Sequence, residues 1–210
     1  IDLGEIHSIT SIDNHGNGII ITGRKIRSIQ RLRNKELGRI AQRMSKCTRG
    51  SKQYNTYLKS IKKLKYKCDN QMRDCIHKIT KLYLDYCLQN NISIVYYGDL
   101  DSCTRGTKQK KFGGKMLRQK LTQWCFSKIV QKLENKLSRY GIKLIKVKEY
   151  YTSQKCPSCK KRNKPKGRNY ECKCGYKMHR DVNGAINILN DNSKKYKITK
   201  CNTLKYLRIA

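Results

Sequence analysis

Residues Tyr151–Leu189 read YTSQKCPSCKKRNKPKGRNYECKCGYKMHRDVNGAINIL, and the spacing inside them organises the rest of the chain. Cys156 and Cys159 stand as C-x2-C, twelve residues intervene, Cys172 and Cys174 stand as C-x-C, and His179-Arg180-Asp181 follows at once. Two cysteine pairs held on tight turns can present four thiolates to one zinc ion at about 2.3 Å each, which completes a closed tetrahedral site. Pro157 and Gly175 supply turn chemistry at the two knuckles. A redox-active C-x-x-C or a disulfide leaves the second pair, beyond the polar loop Lys160–Glu171, unexplained. A closed four-cysteine site is structural, so any chemistry lies elsewhere in the chain.

The 210 residues can hold one domain with a sizeable core plus a small metal-stapled module. Lys+Arg number 49 against 14 Asp+Glu, a net charge of +35 that a globular domain tolerates when it lies against a polyanion, so nucleic acid is the expected partner. No stretch approaches eighteen consecutive apolar residues and Ile1–Leu3 does not lead into a signal-peptide core, which predicts a soluble intracellular protein without a membrane span. Its place is then cytoplasm or nucleoid, or a nucleus in a eukaryotic or viral setting. Of the 11 cysteines, Cys68, Cys75 and Cys87 sit where a small buried hydrophobe serves. The first residue is Ile inside a strand, which predicts a chain cut at its amino end.

Ile1-Asp2-Leu3-Gly4, Ser8–Ile12 and Gly18–Thr22 read as three short strands of an antiparallel meander, with Asp2 on the opposite face from Ile1 and Leu3. Apolar residues recur at helical spacing from Arg24 to Met44 (Ile26, Ile29, Leu32, Leu37, Ile40). They do so again from about Lys52 to Gln89, where Tyr54, Tyr57, Ile61, Leu64, Cys68, Met72, Cys75, Ile79, Leu82 and Tyr86 follow by threes and fours. These two segments predict an antiparallel helical hairpin with lysines and arginines outward. NISIVYYGDL (Asn91–Leu100) is the clearest strand and ends near Asp99. Asp101–Lys115 is a Gly- and Lys-rich loop, and Met116–Tyr140 returns to helical spacing with Trp124 as core. In GIKLIKVKEYY (Gly141–Tyr151), Ile145, Val147 and Glu149 share one face of a strand while Leu144, Lys146 and Lys148 share the other. Asp181–Leu189 is helical by spacing, with Asp181 at its amino end where the helix dipole favours a carboxylate. The tail from Asn190 shows no usable pattern.

With so few acidic residues the search for a cation site is short. Asp2, Asp99 and Glu149 end strands, and Asp181 opens a helix beside the cysteines. Carboxylates that converge repel one another and are stabilised jointly by divalent ions between them. Two Mg2+ ions about 4 Å apart would clamp the attacking water and leaving oxygen of a phosphodiester, which in so basic a chain predicts nucleic-acid hydrolysis.

IDLG at the start, VYYGDL after the hairpin, KEYYTSQKCPSC and CKCGYKMHRDVNGAINI together resemble, in order, the motifs of the TnpB (OrfB) proteins of insertion sequences, relatives of type V CRISPR nucleases and of Fanzor proteins. The resemblance covers essentially the whole chain, and its YTSQ-C-x2-C and RDVN-x-A-x-NI signatures are the specific part. It implies an α/β fold: an RNase H-like (RuvC) mixed sheet with a long helical hairpin insertion and an inserted four-cysteine zinc ribbon, in an RNA-guided DNA endonuclease. The implied partners are a guide RNA and a DNA target, and the implied cofactors are structural Zn2+ at Cys156, Cys159, Cys172 and Cys174 and catalytic Mg2+ at Asp2, Glu149 and Asp181. Where many family members end the fourth strand in Glu-Asp, this chain has Gly98-Asp99. A subset carries the glutamate just ahead of YTSQ instead, which assigns the second ligand to Glu149 and leaves Asp99 a neighbour. C-x-C replaces the frequent C-x2-C in the second knuckle without removing a ligand. The expected organisation is a nuclease domain over 1–150 with the hairpin at about 24–89, a ribbon over 151–178, a final helix over 179–190 and a basic tail over 191–210. The family's amino-terminal region, which binds the guide and reads a target-adjacent motif, has no counterpart before Ile1. Two rival readings are a catalytically degenerate nucleic-acid binder, in which Gly98 marks a lost glutamate, and a basic zinc-ribbon adaptor.

Overall fold

A computed structural model describes residues 1–99, 124–148, 151–164, 167–193 and 195–209. Strands β1 (His7–Ile12) and β2 (Asn17–Thr22) form a hairpin. Helices α1 (Arg24–Met44) and α2 (Lys52–Gln89) follow, then β3 (Ile94–Gly98), α3 (Phe126–Leu137) with a 3-10 turn at Ser138–Tyr140, and β4 (Lys143–Val147). The carboxyl-terminal third holds the small hairpin β5 (Asn169–Glu171) and β6 (Lys177–His179), helix α4 (Arg180–Asn192) and β7 (Thr203–Arg208).

The opening residues join these pieces into one sheet. Asp2 exchanges backbone hydrogen bonds with Thr10 of β1 in antiparallel fashion, at 2.8 and 2.9 Å. On its other side Ile1 N donates to Tyr96 O, and Gly98 N donates to Ile1 O at 3.3 Å, so Ile1–Leu3 runs parallel to β3. The order across the sheet is therefore β7, β2, β1, Ile1–Leu3, β3, β4, with β3–β4 and β2–β7 parallel and β1–β2 antiparallel. The sequence pattern shows no place for β7, because its residues alternate weakly and all but Leu207 are exposed.

Helices cover both faces of β1 and β2, which is why those strands are buried throughout instead of alternating with water. On one face Ile9, Ile19 and Ile21 meet Ile26, Ile29, Ile76, Ile79 and Tyr83 from α1 and α2, and Leu133 and Leu137 from α3 belong to the same core. On the other face Ile12 and Ile20 pack on Val182, Ala185 and Ile186 of α4. Fully burying each of these large aliphatic side chains contributes roughly 1.5–3 kcal/mol, which pins α4 to the sheet. Cys68, Cys75 and Cys87 are buried in α2, as small hydrophobes.

The hairpin α1–α2 has the expected bounds, and Ser51 caps α2 by accepting from Tyr54 N at 3.2 Å. Its buried residues lie near the sheet: Ile26, Ile29 and Gln30 in α1, and Cys68 onward in α2. Farther out, Tyr54, Tyr57, Ile61 and Leu64 are half-buried in a seam, while Leu32 is 57% exposed because its position turns away from α2. Helix α3 begins at Phe126 with Cys125 as its cap, so Trp124 precedes the helix instead of lying within it, and it is half-buried beside Phe126. The helical spacing read at 116–123 and the loop Asp101–Lys115 lie outside the described residues. In β4, Leu144 packs against the core while Ile145 is 38% exposed, so the apolar stripe of Ile145 and Val147 is only partly buried.

Candidate functional site

The four cysteines meet in a small module. Cys156 Sγ lies 3.7 Å from Cys174 Sγ, Cys159 Sγ lies 3.4 Å from Cys172 Sγ, and all four sulfurs lie within 4.8 Å of one another. Sulfurs at tetrahedral corners around zinc are separated by about 3.8 Å, as Zn–S bonds of about 2.3 Å require. The donor set therefore fits a metal such as zinc. Gly175 has φ 87°, the left-handed conformation that lets Cys172 N reach Tyr176 O at 2.9 Å and close the second knuckle. Asn163 Nδ2 donates to Cys172 Sγ at 3.0 Å, an interaction that favours thiolate. The backbone N–H of Cys174 and the neighbouring thiols hold the Cys172 thiol below its ordinary range, whereas burial pushes Cys156 up. Without a cation the four sulfurs cannot all ionise in this space. Cys156, Tyr170 and Cys172 form the module's buried hydrophobic cluster, and Tyr170 OH anchors it by donating to Gln154 O at 3.0 Å.

Helix α4 ties this module to the sheet. Asn183 and Asn187, both buried and one helical turn apart, donate through Nδ2 to Lys155 O at 3.1 and 2.8 Å and to Thr152 O at 3.4 and 2.7 Å. The spacing of these asparagines on RDVN-x-A-x-N was the available signal for this clamp, which sequence reading did not use. Replacing Asn187 with Ala is expected to lower stability by about 1–3 kcal/mol, since two buried carbonyls lose a donor. A chemical-denaturation curve of the zinc-loaded chain checks this.

Asp181 sits on the first turn of α4, capped by His179, whose Nδ1 accepts from Asp181 N at 3.3 Å. Its Oδ2 lies 2.7 Å from Nδ1 of His7, and an Nδ1–H there donates to the carboxylate. Burial works to raise the Asp181 carboxyl, but the His7 hydrogen bond and the field of His179, His7 and Arg180 outweigh it and leave the group below its ordinary value. Burial holds His179 below the ordinary imidazole range.

How His7 reaches α4 depends on a bulge. The register pairs His7 with Thr22 but Ile9 with Ile21, so Ser8 is an extra residue in β1. Without it His7 would share the face of Ile9, toward α2. With it His7 shares the face of Thr10 and Ile20, toward α4. Sequence alternation could not place His7 there, because a one-residue insertion reverses the face.

Asp2 lies on that same face through its pairing with Thr10, as its alternation with Ile1 and Leu3 predicts. Its carboxylate rests against Gly184, one turn along α4 from Asp181, so closely that a methyl group on Gly184 would overlap Asp2 Oδ2. Gly184→Ala is expected to displace that carboxylate while leaving overall stability within about 1 kcal/mol, because the helix-propensity gain of Ala offsets the crowding. A thermal melt alongside a metal-binding isotherm would separate the two effects.

Asp99 continues β3, with its N–H on Val147 O at 2.8 Å, and its Oδ1 pairs with Lys146 Nζ at 3.0 Å. Glu149 lies outside the described residues. Among the described residues, His7, His179 and Asp181 form a second group whose potential ligand atoms all lie within 4.8 Å of one another, and no helix is long and apolar enough to cross a membrane.

The family described as OrfB_IS605, probable transposase, matches residues 1–104, and the Cas12f1-like TNB domain matches residues 126–188. The chain is 29% identical over 150 residues to a CRISPR-associated endodeoxyribonuclease Cas12f1 of an uncultured archaeon, covering 67% of this chain and 27% of that protein. It is 30% identical over 120 residues to a TnpB-like protein of Methanocaldococcus jannaschii, covering 56% and 42%. Its fold matches a solved Cas12f1–sgRNA–target DNA complex with a TM-score of 0.66 at 22% identity, over 92% of this chain and 49% of that one. The chain thus spans less than half the length of each of these relatives. With one family model running from Ile1 through the hairpin, a second running into α4, and a Cas12f-like fold throughout, the chain belongs to the TnpB (OrfB) family.

Proposed function

We propose that this chain is the nuclease part of an RNA-guided, metal-dependent DNA endonuclease on an RNase H-like (RuvC) sheet. The observation that carries the reading is the placement of Asp2 on the central strand of the sheet, facing α4 one turn from Asp181. The sheet order β2, β1, Ile1–Leu3, β3, β4, with β1 antiparallel to the opening strand and β3 parallel to it, supports the RNase H-like reading.

Asp2, Glu149 and Asp181 are the carboxylates assigned to divalent ions. Ions bound there would supply the positive charge that activates a water and stabilises the leaving oxygen of a phosphodiester. The residues themselves do the positioning. His7 fixes the rotamer of Asp181 through Oδ2, the helix dipole favours its ionised form, and the glycine at 184 leaves room for the Asp2 carboxylate. Zinc held by Cys156, Cys159, Cys172 and Cys174 would fix the segment between Glu149 and Asp181. The net charge of +35 suits a surface that lies on phosphates, and the solved relative is a complex with sgRNA and target DNA.

The test has two parts. RNA that co-purifies with a zinc-loaded protein carrying this chain together with its guide-binding region is sequenced, with the expectation of one discrete structured species. DNA complementary to that RNA is then offered with Mg2+ or Mn2+, and chelator-sensitive cutting is expected. Heterogeneous RNA at background level together with no metal-dependent cutting would overturn the reading in favour of a basic nucleic-acid binder.

A further inference from the structure

Two imidazoles stand beside Asp181, on the side of the helix start. His7 is 5% exposed and stands 2.7 Å from it; His179 lies two residues before it in the chain; and the two rings are 5.1 Å apart, centroid to centroid. Three elements converge to hold this group: the bulged start of β1, the end of β6 and the first turn of α4. Tyr206 of β7 meets the His7 ring edge-on at 5.8 Å and limits its rotation.

The donor chemistry matters for the choice of ion. Mg2+ takes hard oxygen donors and keeps much of its water, whereas imidazole nitrogen favours first-row divalent ions such as Mn2+, Fe2+, Co2+ and Zn2+. Two imidazoles and one carboxylate on neighbouring corners, with further positions open, form a recognised ligand set for such ions. Ligand atoms bound at 2.0–2.2 Å on adjacent or opposite octahedral corners stand roughly 3 to 4.3 Å apart. The present group, all within 4.8 Å with its shortest pair at 2.7 Å, closes onto one ion with small side-chain adjustments.

We propose that His7, His179 and Asp181 form a mixed nitrogen–oxygen site, so that the α4 end of the centre takes a first-row ion of the manganese or cobalt class in preference to Mg2+. The lone pair of His7 Nδ1 then meets the ion in place of the proton it shares with Asp181 Oδ2. The His179 Nδ1 lone pair, now spent on a long cap bond of 3.3 Å, does the same. This inference deepens the nuclease reading by naming the ion class, and rests on that reading only in sharing Asp181.

The experiment uses the full chain with one equivalent of Zn2+ already seated in the cysteine module. Mn2+ is titrated in and followed by loss of the free-ion EPR signal, Mg2+ competes, and electron spin-echo modulation reports nitrogen bound to Mn2+. One further Mn2+ equivalent with imidazole nitrogen coupling is expected, displaced by Mg2+ only at a large excess. His7→Gln and His179→Gln should each weaken Mn2+ by about tenfold or more while changing Mg2+ by less than about threefold, and His15→Gln, on the exposed turn between β1 and β2, should change neither. Mn2+ binding without nitrogen coupling in the unmodified chain overturns the proposal even if the His7 variant misfolds. Equal losses for Mn2+ and Mg2+ overturn it as well. Nitrogen-coupled Mn2+ in a protein that shows no metal-dependent DNA cutting would retain this site and discard the nuclease reading.

Discussion

On the proposed nuclease reading, Asp181→Asn is expected to reduce metal-dependent DNA cutting by at least about a hundredfold, because it would remove an anionic metal ligand whose charge its neighbours do not replace. The fold should survive. An asparagine Oδ1 can still accept the His7 hydrogen bond, and Val182, Ala185 and Ile186 still bury the same surface on the sheet. The pH dependence of stability offers an independent reading of the same residue. Its carboxyl titrates below the ordinary 3.8 in the folded chain, so the ionised form stabilises the fold above that value. That contribution disappears as pH falls through the folded value. The difference in melting temperature between the parent chain and the Asn variant should therefore be present at neutral pH and close below about pH 4. A difference that widened toward acid would show that burial, and not the His7 contact, dominates. Parallel variants locate the second ligand: Glu149→Gln should abolish cutting and Asp99→Asn should reduce it modestly through loss of the Lys146 pair. Undiminished cutting by the Glu149 variant would move that role to Asp99.

Cys172→Ser should be nearly as damaging, by a different route. The ribbon's hydrophobic cluster is Cys156, Tyr170 and Cys172, far too small to hold itself together, so a bound metal would supply its folding free energy. In structural zinc peptides that contribution is about 10–16 kcal/mol. Its loss would reach α4. Asn183 and Asn187 would lose the carbonyls of Thr152 and Lys155 and be left with buried amide donors, each costing roughly 1–3 kcal/mol. The expected result is zinc stoichiometry near zero, fast proteolysis within 151–179, and loss of cutting while the α1–α2 hairpin keeps its helical signal. Intact cutting after complete zinc removal would separate the ribbon from the catalytic centre.

Much of the scaffold was legible in the chain. The limits of α1 and α2 follow from apolar spacing interrupted over Ser45–Ser51, and the cysteine spacing alone brings four sulfurs together. The face of Asp2 follows from alternation with Ile1 and Leu3, since the strand has a period of two and both apolar partners are drawn into the core. Local pattern suffices where one residue type repeats against one buried surface.

The rest depends on contacts between segments far apart in the chain. A single extra residue at Ser8 turns His7 from the α2 side to the α4 side, and only its pairing with Thr22 and Asp181 reveals the turn. The strand Thr203–Arg208 carries no strong pattern because it lies at the edge of the sheet, where exposed side chains are not sorted by burial; backbone pairing with β2 defines it. Gly184 is an ordinary small residue in the helix sequence and becomes necessary only because the carboxylate of Asp2, at the far end of the chain, occupies the space of its absent side chain. Residue types and their periods thus set out the layers, while long-range packing decides which nitrogens and oxygens meet at Asp181.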